Sequence, residues 1–213
     1  MATKQIVERV MVKPPNFQSA IVGIEGTDPL VVNRVSQKAK TLVHDQHERG
    51  SEARTKKVRE KKDFQECYRQ SLYISEEGWY GIPAAAFRAA LIRACSIVGI
   101  VMTQAKMSIF VKADGFDKVD KTPLVKITKG KPHYVEHWVH VGNNVPDLRA
   151  RGMFDPGWKA EVHLEWDGDQ FRKEDMVNLM MRVGLQVGLL EGRNASRMSC
   201  GMGWGNFKLD GAE

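Results

Sequence analysis

The sequence predicts an α+β fold, and three segments support that prediction. Residues 159–166 alternate strictly between apolar and polar side chains, which is typical of a strand with one buried face. Residues 83–98 and 172–186 repeat apolar side chains every three or four positions, which is typical of helices that pack through one face. The first of these helices starts at Pro83, a residue that suits the first helical position. A chain of 213 residues is long enough to bury a core between such elements.

The other predicted strands follow from alternation and from β-branched or aromatic content. They are a weak candidate at 5–11, then 18–25, 30–32, a hairpin of 72–74 and 79–82, then 106–111, 123–128, 133–141 and 204–209. Turn-forming and charged residues predict loops at 113–122 and 143–157. Without an insertion at about 34–70, the elements follow the order βαββαβ, the ferredoxin-like pattern shared by RNA-recognition-motif modules. We therefore expect a single domain, residues 1–213, with this core.

Positive charge is concentrated in one segment. The chain has 32 lysines and arginines against 26 acidic residues, a net charge of +6. Between Arg34 and Lys62 stand ten lysines and arginines and four acids, so this segment carries the whole excess and the other residues sum to zero. Glu52 and Lys56 can pair one helical turn apart. We expect a basic, partly helical insertion that faces a polyanion. A solvated basic helix without a partner is the alternative.

A glycine-rich loop is predicted between residues 188 and 205. It contains five glycines, with Arg193, Arg197 and Trp204 between them. Glycine lets backbone N–H groups approach a phosphate closely, arginine supplies a charged fork, and tryptophan can stack on a base. The alternative is a loop whose glycines serve only tight turns.

A second candidate anion site lies where the first predicted helix begins. Residues 84–86 are all alanine, so the free N–H groups of the first turn are not shielded by bulky side chains. Arg88 follows one turn later and could add charge. The alternative is that small residues simply permit close packing of helix and sheet.

These two motifs resemble those of the RAMP superfamily, the repeat-associated proteins that form the guide-RNA-binding backbone of CRISPR effector complexes. Residues 82–91 read IPAAAFRAAL, which is similar to the family segment that starts isoleucine-proline-glycine-serine-serine. Residues 201–207 read GMGWGNF and resemble the family's C-terminal glycine-rich loop before the last strand. The basic insertion is similar in place to the variable finger or thumb of such subunits. The sequence departs from the pattern in having alanines at 84–86.

The resemblance implies an antiviral ribonucleoprotein in the cytoplasm. The chain would bind single-stranded RNA and assemble with copies of itself along the strand, together with other effector-complex subunits. The alternatives are a RAMP-type endoribonuclease and a phage or plasmid protein that binds or anneals single-stranded DNA. The candidate nucleic-acid-binding residues are Arg34, Lys38, Lys40, Arg54, Lys56, Lys57, Arg59, Lys61, Arg88, Arg93, Arg193, Arg197, Gly201, Gly203, Trp204 and Gly205.

No residue stands in a recognisable catalytic setting in the sequence. Asp28 precedes a proline and is typical of a turn, while Asp45 lies in the basic segment. His44 and His47 could bind a metal, but a pair without further ligands is a weak signal. We therefore expect a binding protein without catalytic residues, metal or cofactor. No apolar run is long enough to span a membrane, and three scattered cysteines favour a reducing cytoplasm.

Overall fold

The computed structural model describes residues 12–34, 62–141, 145–196 and 201–211. Within these ranges the chain is a mixed α+β protein with antiparallel sheets and four α-helices. The strand candidate at 5–11 and most of the basic insertion lie outside the described residues.

The strands and helices have the following bounds. The strands are β1 (Phe17–Gly26), β2 (Leu30–Val32), β3 (Gly81–Pro83), β4 (Ile109–Lys112), β5 (Gly115–Phe116), β6 (Pro123–Lys129), β7 (His133–Val141), β8 (Val145–Phe154), β9 (Lys159–Asp167) and β10 (Phe207–Leu209). The helices are α1 (Phe64–Ser71), α2 (Ala84–Ile97), α3 (Met102–Ser108) and α4 (Lys173–Arg182), and α4 continues into a π-helical turn, Val183–Val187.

Strand β9 is the centre of the larger sheet. One edge of β9 pairs with β1, and its other edge is shared between β4 and β6. Strand β10 lies outside β1, while β3 and β5 pair with β6. The alternation that predicts β9 is confirmed, because Ala160, Val162, Leu164 and Trp166 are buried while Glu161 is exposed.

Helices α2 and α4 cover the buried face of this sheet. Phe87, Leu91 and Cys95 recur every four residues on α2 and are fully buried. Met176 and Met180 of α4 join the same core, so their predicted role in packing is confirmed. The apolar faces of the two helices therefore share one core with the buried residues of β1 and β9, and the opposite face of the sheet is left open.

A second sheet has the order β2–β8–β7. Helix α1 packs on β8 where Gly152 leaves room: a Cβ at Gly152 would lie 2.2 Å from Cδ2 of Leu72. The Gly152 amide donates to Oγ of Ser71 at 2.9 Å. The prediction of a loop over 143–157 is wrong, since β8 occupies most of it. Its proline, glycine and arginines are typical of a loop. In the strand, however, Gly152 packs against Leu72, and both arginines form ion pairs.

Two element boundaries also differ from the prediction. The strand predicted at 106–111 begins only at Ile109, because the preceding residues form α3 and bury Ala105 against the core. The last strand begins at Phe207, because Trp204 and Gly205 form a turn. In the predicted insertion, the described residues after Lys62 form α1 against the second sheet.

Candidate functional site

Glu191 is the centre of an ion-pair network between the glycine-rich loop and the β7–β8 hairpin. Its side chain is only 9% exposed. Arg149 Nη1 donates to its Oε1 at 2.9 Å, and Arg151 Nε donates to its Oε2 at 2.8 Å. His137 Nε2 lies 3.4 Å from Oε1, and His137 stands opposite Arg149 in the hairpin. One buried carboxylate therefore holds three side chains of the same sheet face.

The backbone around Glu191 is bent into an unusual path. Leu190 has φ 59°, a left-handed conformation that costs free energy for a residue with a Cβ. Gly188 and Gly192 on either side also have positive φ angles. The Glu191 amide donates to the Val31 carbonyl at 3.2 Å, which fixes the loop to β2. This path directs the Glu191 side chain onto the hairpin.

The network determines the ionisation of Glu191. Burial by itself raises the pKa of a carboxyl group. Here the hydrogen bonds with His137, Arg151 and Arg149, together with the charge of Arg151, outweigh burial and lower the pKa of Glu191 to about 2. Glu191 is therefore a carboxylate at neutral pH, as its arginine partners require.

The network also reaches the end of the basic segment. Asp147 accepts from Arg149 Nε at 3.2 Å and from Lys62 Nζ at 3.1 Å. These two cations lower the pKa of Asp147 although partial burial raises it. Lys62 also donates to the Leu148 carbonyl. The basic segment and the glycine-rich loop, which the sequence identifies separately, are thus connected across β8.

Trp204 anchors the glycine-rich loop on the hairpin. Its half-buried indole covers Gly192, where a Cβ would lie 2.4 Å from Cε3. Its ring meets His137 edge-on, with centroids 5.0 Å apart. Gly203 is open, since a Cβ there would come no closer than 4.0 Å to its nearest neighbour, Asn206 Nδ2, whereas Gly205 is buried against Leu189. Gly201, Gly203 and Gly205 all have positive φ angles.

Two predicted binding arginines are engaged inside the fold. The Arg34 side chain is 7% exposed and lies 3.7 Å from carboxylate oxygens of Asp117 and Asp120. Arg88 Nε donates to the Ile109 carbonyl at 2.9 Å, and its Nη2 donates to the Lys106 carbonyl. These guanidinium groups connect elements within the fold, so they are poorly placed to contact a nucleic-acid strand.

The other predicted binding residues divide into two groups. Arg93 is exposed on α2, and Arg193 is exposed in the glycine-rich loop, where its Nη1 donates to the Leu190 carbonyl at 2.9 Å. The candidates outside the described residues are Lys38, Lys40, Arg54, Lys56, Lys57, Arg59, Lys61 and Arg197.

The open face of the larger sheet carries paired charges. Lys112 contacts Glu165 at 3.1 Å, and Lys159 contacts Asp210 at 2.9 Å. A cleft of about 260 Å³ on this face is lined by Trp79, Lys126, Thr128, His163 and three carboxylates, those of Glu77, Asp114 and Glu161. In the described part of this face, positive charge is balanced by carboxylates, and this surface is less suited to phosphate than the hairpin side.

The residues weighed for catalysis do not form a site in the described part of the chain. Asp28 lies in a turn: its side chain accepts from Thr27 Oγ1 at 3.0 Å, and its carbonyl accepts from Trp158 Nε1 at 3.0 Å. Asp45, His44 and His47 lie outside the described residues. Where the structure describes the chain, no three His, Cys, Asp or Glu side chains converge as a metal ion would require.

Sequence reasoning missed the central residues of this site. Glu191 has no local signal, because its partners lie about 40 residues away in the chain. Arg149 and Arg151 have the spacing of residues on one strand face, but the loop prediction concealed it. Trp138 on β7 is 65% exposed and was also missed as a surface aromatic.

Comparisons with known proteins do not assign the chain to a family. No protein-family model matches it, and no curated protein gives a significant match. In the described residues, no helix is long and apolar enough to cross a membrane.

Proposed function

We propose that this protein binds single-stranded nucleic acid, with guide RNA as the favoured ligand. The interface is formed by the glycine-rich loop, the β7–β8 hairpin and the basic segment. The observation that supports this most directly is the chain of ion pairs from Lys62 through Asp147 and Arg149 to Glu191. It connects the segment that carries the net charge to the loop that carries the glycines.

The chemistry of these elements suits a phosphate backbone. Lysines and arginines neutralise phosphates without reading sequence, which makes binding dependent on salt. Open positions such as Gly203 allow close approach of the backbone. On the hairpin face opposite to His137, Trp138 offers an exposed aromatic ring, and base stacking on such rings tolerates any sequence. We expect largely sequence-independent binding.

Strand order supports a ferredoxin-like core for this module. Strands β10, β1, β9 and β4 are neighbours in that order, and all pairs are antiparallel. Helix α2 lies between β1 and β4 in the chain, and α4 lies between β9 and β10. This order is consistent with the βαββαβ arrangement expected from the sequence, with β6 and the second sheet as additions.

The assembly that we propose follows from the resemblance to RAMP proteins. Copies of the chain would lie side by side along the RNA in a helical or filamentous ribonucleoprotein, together with other effector-complex subunits. The compartment would be the cytoplasm, which the cysteine usage favours.

The first experiment is to ask what the purified protein carries. A nuclease-sensitive excess of ultraviolet absorbance with a discrete RNA would support guide RNA. Fluorescence anisotropy then compares RNA and DNA oligonucleotides of the same sequence. A preference for DNA would favour the single-stranded DNA-binding alternative, cleavage of the RNA would favour the ribonuclease, and no binding to either would overturn the proposal.

The contribution of the basic segment is tested by replacing four of its cations with alanine. The variant changes Lys56, Lys57, Arg59 and Lys61. The matched control changes four exposed lysines elsewhere: Lys106, Lys118, Lys173 and Lys208. We expect weaker binding and a shallower salt dependence only for the first variant, since each lost phosphate contact lowers the slope by about 0.7. Equal behaviour of the two variants would remove the segment from the interface.

A further inference from the structure

We propose that Arg149 and Arg151 form a phosphate-binding pair, oriented by Glu191, that grips one phosphodiester of the bound strand. This inference rests on the proposed function and deepens it, because neither arginine was among the residues expected to bind. The ligand is the phosphate group itself, so the contact is independent of base sequence.

The two arginines converge on one point. They are two residues apart on the same face of β8, a spacing of about 6.6 Å along a strand. Their guanidinium groups bond to opposite oxygens of the single Glu191 carboxylate, which brings the groups together. Because the buried carboxylate already orients both guanidinium groups, less conformational entropy is lost when a ligand binds.

Each guanidinium has one nitrogen, Nη2, that bonds to none of the residues described by the structure. In Arg149, Nε donates to Asp147 and Nη1 donates to Glu191. In Arg151, Nε donates to Glu191 and Nη1 donates to the Ala150 carbonyl at 3.0 Å. Among the described residues, neither Nη2 has a hydrogen-bond acceptor, and neither is a buried unpaired atom. The Arg149 and Arg151 side chains are 25% and 16% exposed, so solvent can reach them.

The charge of the network suits one phosphodiester. Lys62, Arg149 and Arg151 contribute three positive charges, and Asp147 and Glu191 contribute two negative charges. One positive charge is left over, and the single negative charge of a phosphodiester neutralises it. Both arginines bind Glu191, the residue before Gly192, and His137, which is opposite Arg149 in the hairpin, contacts Trp204. A nucleic-acid strand that follows the glycine-rich loop would therefore pass the pair.

The experiment measures the affinity of the full chain for a fluorescein-labelled oligouridylate at several salt concentrations. The test variant is Arg149→Gln/Arg151→Gln/Glu191→Gln, which removes the arginines without leaving Glu191 as an unpaired buried charge. The control is Lys173→Gln/Arg182→Gln, which removes two cations from α4, a helix that packs against α2, β10 and the π-helical turn. We expect the test variant to lose about tenfold or more in affinity and about 0.7 in salt slope, and the control to change little.

A second variant distinguishes the loss of a phosphate contact from a folding defect. Arg149→Lys/Arg151→Lys keeps both charges and so preserves the ion pairs, but a lysine cannot present a planar fork. We expect it to keep the salt slope while losing several-fold in affinity. If wild-type protein binds and both variants bind like it, the phosphate pair is wrong while the proposed function stands. If wild-type protein binds no oligonucleotide, the proposed function itself fails, and this inference fails with it.

Discussion

Trp204 lies edge-on to His137, with their ring centroids 5.0 Å apart and their planes at 88°. Because Trp204 belongs to the glycine-rich loop and His137 to β7, this contact joins the loop to the hairpin beside the Glu191 network. The sequence suggests Trp204 as a base-stacking residue, and that role stays untested. The structure shows that the same indole also covers Gly192.

Trp204 and Trp138, which lie on opposite faces of the β7–β8 hairpin, should differ in how much they stabilise the fold. We expect Trp204→Ala to lower the free energy of unfolding by about 2 kcal/mol or more, because the half-buried ring leaves a cavity over Gly192. Trp138→Ala serves as the matched control and should change it by less than about 0.5 kcal/mol, since that ring is 65% exposed. Urea denaturation followed by circular dichroism measures both. Equal losses would contradict the proposed anchoring role of Trp204.

A Cβ at Gly192 should be much less tolerable than one at Gly203. Both glycines have φ angles near 75°, so the backbone strain of an alanine is similar at the two positions. Only at Gly192 would the Cβ collide with Trp204, at 2.4 Å from Cε3. We expect Gly192→Ala to lower the melting temperature clearly more than Gly203→Ala. The same melting temperature for both variants would show that the loop packs differently.

Stability should fall in acid partly because of Glu191. Its folded pKa, about 2, lies below the ordinary glutamate value of 4.5, so its stabilising contribution is present above pH 4.5 and is lost as the pH falls toward 2. At pH 3 the loss amounts to about 2 kcal/mol relative to pH 7. The Glu191→Gln variant has no carboxylate to titrate at this position, so its free energy of unfolding should fall less between pH 7 and pH 3. Urea unfolding at both pH values measures the drop, and an equal drop in the two proteins would be the contrary result.

The cysteines provide a chemical test of the core. Cys95 is fully buried on α2, and burial raises the pKa of its thiol to about 11, whereas Cys67 on α1 is partly exposed. In a Cys200→Ser background, we expect a disulfide reagent at neutral pH to label Cys67 in the native protein and Cys95 only after denaturation. Rapid native labelling of both thiols would show that α2 does not pack as described.

Local periodicity accounts for the elements that the sequence predicts well. Strand β9 and helix α2 each bury one face, so their apolar residues repeat at the strand or helix period. Strand β8 lacks this signature, because Arg149 and Arg151 stand on a partly covered face where apolar residues would normally be expected. They are tolerated there because Glu191 arrives from a distant loop to pair with them.

Some features of the candidate site can also be predicted from the sequence, whereas others depend on the fold. The concentration of positive charge before Lys62 and the glycines after 188 are properties of the sequence alone, since charge and backbone freedom belong to each residue. Whether an arginine is available to a ligand depends on its neighbours. Arg34 and Arg88 have the right chemistry, but Asp117 and the Ile109 carbonyl occupy them inside the fold.

The amino-acid sequence by itself is enough to establish the order of most strands and helices, the position of the net charge and the presence of a glycine-rich loop. These follow from local propensities and from the composition of short segments. That Lys62, Arg149, Arg151 and Glu191 form one network is a consequence of folding. Ion pairs form between residues that the fold brings within a few ångströms of each other. The strength and the solvent exposure of these ion pairs depend on burial by residues that are far apart in the chain.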